Sequence, residues 1–296
     1  MHRLKRRAQE QPNEPPHQVI AGELTNEHKE EVLANLPEHQ HLRRSIDRAK
    51  SSRRSANPTH LNSFDILPPN TETIRNQMFL HFDSGREEVS RLIILTTKRN
   101  LEILCQNRIF SNGTFKTAPH MFTQLFAEHG LFKDHLFPLV YAFTNRKDEE
   151  TYNRLYLELK SLSAQYGFTL RPEKAMCDLE LGNTNATRTQ FPGVQIKGCL
   201  FHLSRDIWRQ VLENGLKVAF TNGKDVRAEI KHLLGLPFVP LEDITEVFEE
   251  MSQDDLSAEV AAVYEMIDVT YVSGRPARGR RRALPPRFPS EIWNVQ

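Results

Sequence analysis

Between Phe137 and Leu212, short β-prone runs alternate with helical ones, and this order constrains the fold more than any other feature of the 296-residue chain. Phe137-Pro138-Leu139-Val140-Tyr141-Ala142-Phe143 reads as a strand. From Asp148 to Tyr166, Tyr152, Leu155, Tyr156, Leu159 and Leu162 recur at intervals of three and four, the pattern of an amphipathic helix that Gly167 ends. Lys174-Ala175-Met176-Cys177 is a second strand, closed by Asp178. Asn183 to Thr189 reads as a short helix. Val194 to Gly198 is a third strand, closed by Cys199 and His202. His202 to Leu212 begins a further helix, with Ile207, Trp208 and Val211 on its apolar face. Such an order favours parallel pairing through right-handed crossovers. Polar groups at the ends of neighbouring strands in an α/β sheet can converge on one site. The predicted fold class is α/β, with flanking helices.

Upstream, Met78 to Phe82, Leu92 to Thr96 and Phe110 to Lys116 read as strands, with Phe115 inward. Glu102 to Cys105 is either a strand partner or a short helix. Thr123 to Ala127 pairs with the Phe137 strand, and the gap from Glu128 to His135 suits a hairpin loop, so three antiparallel strands are expected here. Beyond Gly215 the pattern turns helical, over Val226 to Leu234, Leu241 to Met251 and Leu256 to Tyr271, with breaks at Pro237 and Pro240. Ser273 to Arg287 is rich in Arg, Gly and Pro and reads as a flexible loop. Residues 1–70 read as a polar arm, partly helical or disordered. Within it, helices are expected from Thr25 or Asn26 through Leu36 and from His41 to Lys50, the second broken by Ser51 to Pro58. The expected division is 1–70 arm, 71–215 sheet core, 216–272 helical insertion, and 273–296 Arg/Pro-rich loop and C-terminus.

A formal net charge of +1 does not by itself point to a nucleic-acid partner, but the charge is clustered. Arg3, Lys5, Arg6 and Arg7 form one basic run. Arg43, Arg44, Arg48, Lys50, Arg53 and Arg54 form a second, and Arg275, Arg278, Arg280, Arg281 and Arg282 a third. Such runs neutralise phosphates, direct nuclear import, or are simply solvated. Three cysteines leave an odd count, which favours a reducing compartment. No apolar stretch is long enough to span a bilayer, and the charged start of the chain lacks the apolar core of a secretory signal. These features point to a nuclear or cytoplasmic, intracellular protein with no membrane partner.

Asp178 leads the candidates for chemistry. Metal-assisted phosphoryl transfer needs carboxylates held close together by rigid strands, so that hard cations bridge attacking and leaving oxygens. A helix cap for the segment from Asn183 is the simpler reading of Asp178 taken alone. Asn112 keeps the size of an Asp and one acceptor oxygen but carries no charge, and Asn112-Gly113 is also a turn signal. Cys199-x-x-His202 has the spacing of half a zinc site, but no second Cys/His pair accompanies it. A Cys–His nucleophile lacks an evident third group, and a buried Cys beside a hydrogen-bonded His is the favoured reading of the pair. Cys177 is expected to point into the core. Trp208 reads as core, and Trp293 as an anchor for the last ordered segment.

Taken in order, these residues resemble the catalytic domain of Mutator-like element (MULE) transposases. Asn112-Gly113-Thr114-Phe115-Lys116-x-x-Pro119 resembles the family's Asp-Gly-Thr-Phe signature with one change. Gln124-Leu125 and Pro138-Leu139-Val140-Tyr141-Ala142 resemble its second and third strands, Asp178-Leu179-Glu180 its second catalytic Asp with the following acid, and Gly198-Cys199-x-x-His202 its Cys-x-x-His motif. Leu236-Pro237-Phe238-Val239-Pro240 resembles the start of the helical insertion, and Pro289-x-x-x-Trp293-Asn294 the stretch before the final acidic helix. The resemblance runs from about Leu92 to the end of the chain.

It implies an RNase H-like mixed sheet in which two Asp and one Glu hold Mg²⁺ or Mn²⁺ for cutting and joining DNA. Asp178 would be the catalytic and metal-binding residue retained, and Asn112 stands at the first Asp position. The third acid is expected beyond Trp293-Asn294, and the chain ends at Gln296, so no residue takes that role. The family's N-terminal zinc domain of FLYWCH or related type is not expected, because residues 1–70 contain no Cys. The resulting expectation is a transposase-derived domain that no longer cuts DNA and binds it weakly and non-specifically through its Arg-rich segments. Alternatives are a domesticated scaffold for a protein partner or a second copy, a metal-dependent nuclease using Asp178 with Glu180, and a decaying gene product without a role.

Overall fold

A computed structural model describes residues 2–11, 14–25, 37–51, 60–68, 70–106, 108–253, 256–279 and 281–296. The expected helix through Leu36, the break after Ser51, and the arginines Arg53, Arg54 and Arg280 lie outside the described residues. The chain divides into two units, 1–59 and 60–296.

The first unit is helical over most of its described residues. Helices α1 (His2–Glu10), α2 (Pro16–Thr25) and α3 (His39–Ser51) enclose their own small core of Leu4, Ala8, Val19, Ile20, Leu42, Ile46 and Ala49. The apolar residues are sparse, but Leu4/Ala8 and Leu42/Ile46/Ala49 recur at helical spacing, so each helix turns one narrow stripe inward.

The second unit is built on a seven-stranded sheet in the order β1-β2-β5-β4-β3-β6-β7. Its strands are β1 (Leu80–Asp83), β2 (Leu92–Leu95), β3 (Arg108–Thr114), β4 (Gln124–Phe132), β5 (His135–Thr144), β6 (Lys174–Cys177) and β7 (Gln195–Gly198). The pairs β1/β2, β2/β5, β5/β4 and β4/β3 are antiparallel, whereas β3/β6 and β6/β7 are parallel. The α/β class with a mixed sheet is as the sequence predicts.

The Glu128–His135 gap is not a loop. Strand β4 runs on to Phe132, and Lys133 and Asp134 alone make the turn, at φ 49° and 62°. Two successive left-handed residues match the right-handed twist of the paired strands, so a two-residue connection suffices. Helix α4 (Lys98–Leu104) resolves the ambiguous Glu102–Cys105 segment, and Thr97 caps it by accepting from the Asn100 amide.

Helix α5 (Glu149–Gln165) is capped by Asp148, which accepts from the Thr151 amide, and Gly167 at φ 79° follows its end. It buries Tyr152, Leu155, Tyr156 and Leu159 in a cluster with Leu92, Ile94, Phe126, Ala142 and Ala175 of the sheet. Each fully buried side chain of this kind contributes about 1.5–3 kcal/mol. Helix α6 (Leu181–Gln190) connects β6 to β7.

A second core gathers α7 (Leu200–Glu213), α8 (Lys217–Asn222), α9 (Asp225–Gly235), α10 (Ile244–Ser252) and α11 (Ala258–Ile267) around Leu203, Ile207, Ile230, Phe248, Val263 and Tyr264. The short helix α12 (Ser290–Trp293) docks on it. As expected, Trp293 is the anchor: its indole Nε1 donates to the carbonyls of Tyr271 and Phe288, each at 3.0 Å. Asn294 donates to the carbonyls of Pro237 and Val239 at 3.1 and 2.8 Å.

Three further expectations change. The segment 273–287 is not an unpaired loop, because Arg275 pairs with Leu284 and Arg278 with Arg281 in a small antiparallel hairpin. Gly274 sits at φ 84° with the backbone of Leu284 and Pro285 against it, where any Cβ would collide. Trp208 is 37% exposed, its ring edge-on to Phe220 at 5.1 Å. Phe115 is 45% exposed: β3 ends at Thr114, so the alternation that would have turned Phe115 inward stops there.

Candidate functional site

The parallel pairing of β3 with β6 brings the two halves of the candidate site together. Phe110 pairs with Met176, so two residues further along each strand Asn112 and Asp178 stand at neighbouring positions. Gly113 lies nearer still. A Cβ there would come 2.6 Å from the Gln124 amide oxygen and 3.6 Å from Asp178 Oδ2, so the backbone of β3 passes close to Asp178.

Asp178 is 7% exposed and forms the floor of a cavity of about 600 Å³. Asn183 Nδ2 donates to its Oδ1 at 3.0 Å. Burial raises the Asp178 pKa above the ordinary carboxylate range, and the bond from Asn183, the charge of His202, the Gly113 amide and Arg205 only partly offset it. Glu180 lies beside it, its pKa raised by burial and then by the Asp178 charge. Lys147 Nζ is 3.9 Å from Glu180 and lies over the Phe115 ring at 5.3 Å.

Helix α7 supplies the opposite wall. His202, Arg205 and Arg209 recur at i, i+3 and i+7 and all line the cavity, with Arg287 completing the rim. Arg209 is paired with Asp206 at 3.4 Å and Glu213 at 3.8 Å. Arg205 and Arg287 have no ion-pair partner among the described residues. The groove adjoins a second hollow of about 530 Å³ that shares Leu181, Thr270 and Arg287 with it and reaches Arg275. Arg275, Arg278, Arg281 and Arg282 are exposed on the hairpin.

Gly198 closes β7, where a Cβ would press on Leu179. Cys199 is the residue before α7. Hydrogen bonding to the His202 side chain lowers its pKa, against partial burial. His202 is 7% exposed, and its Nδ1 has no hydrogen-bond partner. Cys177 does point into the core, and burial pushes its thiol up to about 12.

Beneath the site lies a polar cluster that sequence reasoning missed. Glu128, 1% exposed, stands opposite Ser111 in the β3/β4 ladder. Ser111 Oγ donates to Glu128 Oε1 at 2.8 Å. The Tyr156 hydroxyl is 3.0 Å from Glu128 Oε1 and 2.7 Å from Asn183 Oδ1. One phenolic proton serves only one of these acceptors, and a protonated Glu128 supplies the other bond. Burial pushes the Glu128 pKa up to about 8, so it is the neutral acid near pH 7. The chain Glu128–Tyr156–Asn183–Asp178 thus couples a buried acid to the groove floor. Reading 128–135 as a loop hid it. The only sequence signal was an acid within a run that otherwise alternates as a strand.

Residues 109–206 match the family model described as the MULE transposase domain. Over that stretch the chain is similar to the MULE transposase domain. No curated protein matches the chain. The matched residues include Asn112, Asp178, Cys199 and His202, so the match spans one part of the groove lining, Asp178 and His202 included. The MULE family depends on divalent metal, which asks for converging carboxylates.

That requirement is not met by the donors present. Asn112 brings a neutral amide. Ser111 faces Glu128 and Tyr156, so by strand alternation Asn112 faces the other side of the sheet, and it does not line the cavity. Asp178 Oδ1 is already hydrogen-bonded. Among the described residues, no group of three His, Cys, Asp or Glu side chains is arranged to hold a metal ion. Nor is any described helix long and apolar enough to cross a membrane.

Proposed function

We propose that this MULE domain is a transposon-derived nucleic-acid-binding module that grips a phosphate backbone in the Asp178 groove without cutting it. The reading rests on one observation: the groove is rimmed by arginines, and its Asp178 is held by Asn183 while Asn112 stays outside the lining. Arg205 and Arg287, which have no ion-pair partner among the described residues, neutralise phosphates, and Arg275 at the base of the hairpin extends the basic track. Exposed Phe115 and Phe201, near the two walls, offer flat surfaces against which unpaired bases stack. A domain that loses a metal-bridging carboxylate forfeits several kcal/mol of transition-state stabilisation, hence orders of magnitude in rate.

The test is a titration of the whole chain against a short DNA duplex and the matching single strand at several salt concentrations, with a nicking assay in Mg²⁺ and Mn²⁺. Binding should weaken steeply with salt. Arg205→Gln with Arg287→Gln should make the log–log salt slope shallower by about 2. Salt-insensitive binding would remove the phosphate reading. Metal-dependent nicking that disappears in Asp178→Ala would establish the nuclease alternative instead.

A further inference from the structure

The N-terminal unit sorts its basic residues into two sets. Arg7 is turned inward, bonded to Glu14 at 2.8 Å with Glu23 at 3.8 Å, and buried Lys50 donates to the Glu14 carbonyl. The second set faces out. On α3 the buried stripe is Leu42, Ile46, Ala49 and Lys50. At 100° per residue, Arg44 and Arg48 fall on the side opposite that stripe, with His41 one turn before Arg44. Arg43 is exposed on the adjoining flank, and Lys5 is exposed on α1, which packs against α3. Lys5, Arg43, Arg44 and Arg48 have no ion-pair partner among the described residues, and Asp47 is the one acid on α3.

Among the described residues these cations have no ion-pair partner on the outer face of the unit, while Glu14 and Glu23 engage Arg7, which gives the face a local positive field that the chain's net charge of +1 conceals. Arg44 and Arg48 lie about 6 Å apart along the helix axis. A 13-residue helix with an exposed row of Gln40, His41, Arg44 and Arg48 also has the size and side-chain types that enter a duplex major groove.

We propose that the helical unit 1–59 is a second, independent nucleic-acid-binding site that docks the outer face of α3 on the phosphate backbone of duplex DNA. It is separate from the Asp178 groove and does not depend on that groove binding anything. The contacts are electrostatic, so the unit supplies affinity and leaves sequence discrimination weak.

The experiment measures anisotropy of a labelled 20-base-pair duplex with the full chain, from low to physiological salt. It compares the wild type, Arg44→Gln/Arg48→Gln, and Arg205→Gln/Arg287→Gln. Loss of the two α3 arginines should weaken binding roughly tenfold per arginine at low salt and make the salt slope shallower by about 2. The change should add to that of the groove variant, because the sites are separate. Lys5→Gln/Arg43→Gln is a second pair whose smaller loss serves the same test if the first pair melts the unit. Circular dichroism reports whether either pair keeps its helices. Unchanged affinity and slope in a folded variant would overturn the proposal. So would stronger capture of the chain by anionic phosphatidylserine vesicles than by the duplex, which would make the face a membrane contact.

Discussion

Two carboxylates of the same sheet, Glu128 buried and Asp83 half-buried, are sent in opposite directions by their surroundings. At the β1/β2 edge, Asp83 receives two bonds from Arg91, at 2.9 and 2.6 Å, and its pKa is lowered: burial pushes it up, but the guanidinium outweighs it. Arg91 is 1% exposed and also donates to the carbonyls of Leu61 and Phe64, at 2.7 and 2.8 Å, which ties residues 61–64 to the sheet. At the centre, Glu128 is surrounded by hydroxyls and has no cation, and its pKa rises to about 8. Burial alone therefore does not decide ionisation. The nearest fixed charge does, because a hydroxyl donates one bond whereas a guanidinium adds a full opposite charge.

The strongest way to break the comparison is to remove the cation. Arg91→Ala should cost about 1.5–3 kcal/mol, because it strips half-buried Asp83 of its charged donor and frees two carbonyls. Chemical denaturation at pH 7 measures it, and a loss below about 1 kcal/mol would mean that the pair carries little of the edge's stability.

The next effect is a pH slope. The native state holds a proton on Glu128 that the unfolded chain has already released, so stability falls as pH rises from the ordinary value of 4.5 to about 8. The slope is at most about 1.4 kcal/mol per pH unit. Glu128→Gln keeps the shape without the titration and should flatten that limb while leaving the acid limb intact. A slope unchanged in this variant would assign it to another group.

Asp83 gives the mirror image. Its stabilisation is complete above the ordinary carboxylate pKa and is lost as pH falls through the lowered native value, so Asp83→Asn should weaken acid denaturation below about pH 4. Identical acid limbs in Asp83→Asn and the wild type would show that Asp83 is not ionised by Arg91.

The smallest effect extends the same logic to thiols. Cys199, lowered by hydrogen bonding to His202, should alkylate with iodoacetamide well before Cys177, which is buried with its pKa near 12. Mass spectrometry after brief labelling orders them, and a His202→Ala change should slow Cys199 specifically.

Much of the sheet was legible because its signals are local. Helix α5 announces itself through Tyr152, Leu155, Tyr156, Leu159 and Leu162, and strand β6 through the apolar run that ends at Asp178. The Asp178 and Cys199 strand ends are neighbours because β6 and β7 pair in parallel, as the strand–helix–strand order implied. The β4–β5 turn was illegible. Lys133-Asp134 lacks the usual Asn-Gly or Asp-Gly signature, and the strands on either side hold it in the left-handed region. The core of residues 2–51 was missed for a different reason. Its apolar residues are too few to mark a domain along the sequence, and they form one only when three helices pool their stripes.

By itself, then, the amino-acid order determined the α/β class, the parallel pairing and the resemblance to MULE transposases. All of these depend on residue identity and on contacts within a few dozen residues. Tertiary structure alone decided that Arg205 and Arg287 face Asp178 across a groove, that Asn112 turns to the other side of the sheet, and that Glu128 is a neutral acid linked to Asp178 through Tyr156 and Asn183. The physical reason is that exposure, charge and proton occupancy depend on what long-range pairing places within a few ångströms, and neither composition nor periodicity encodes that proximity.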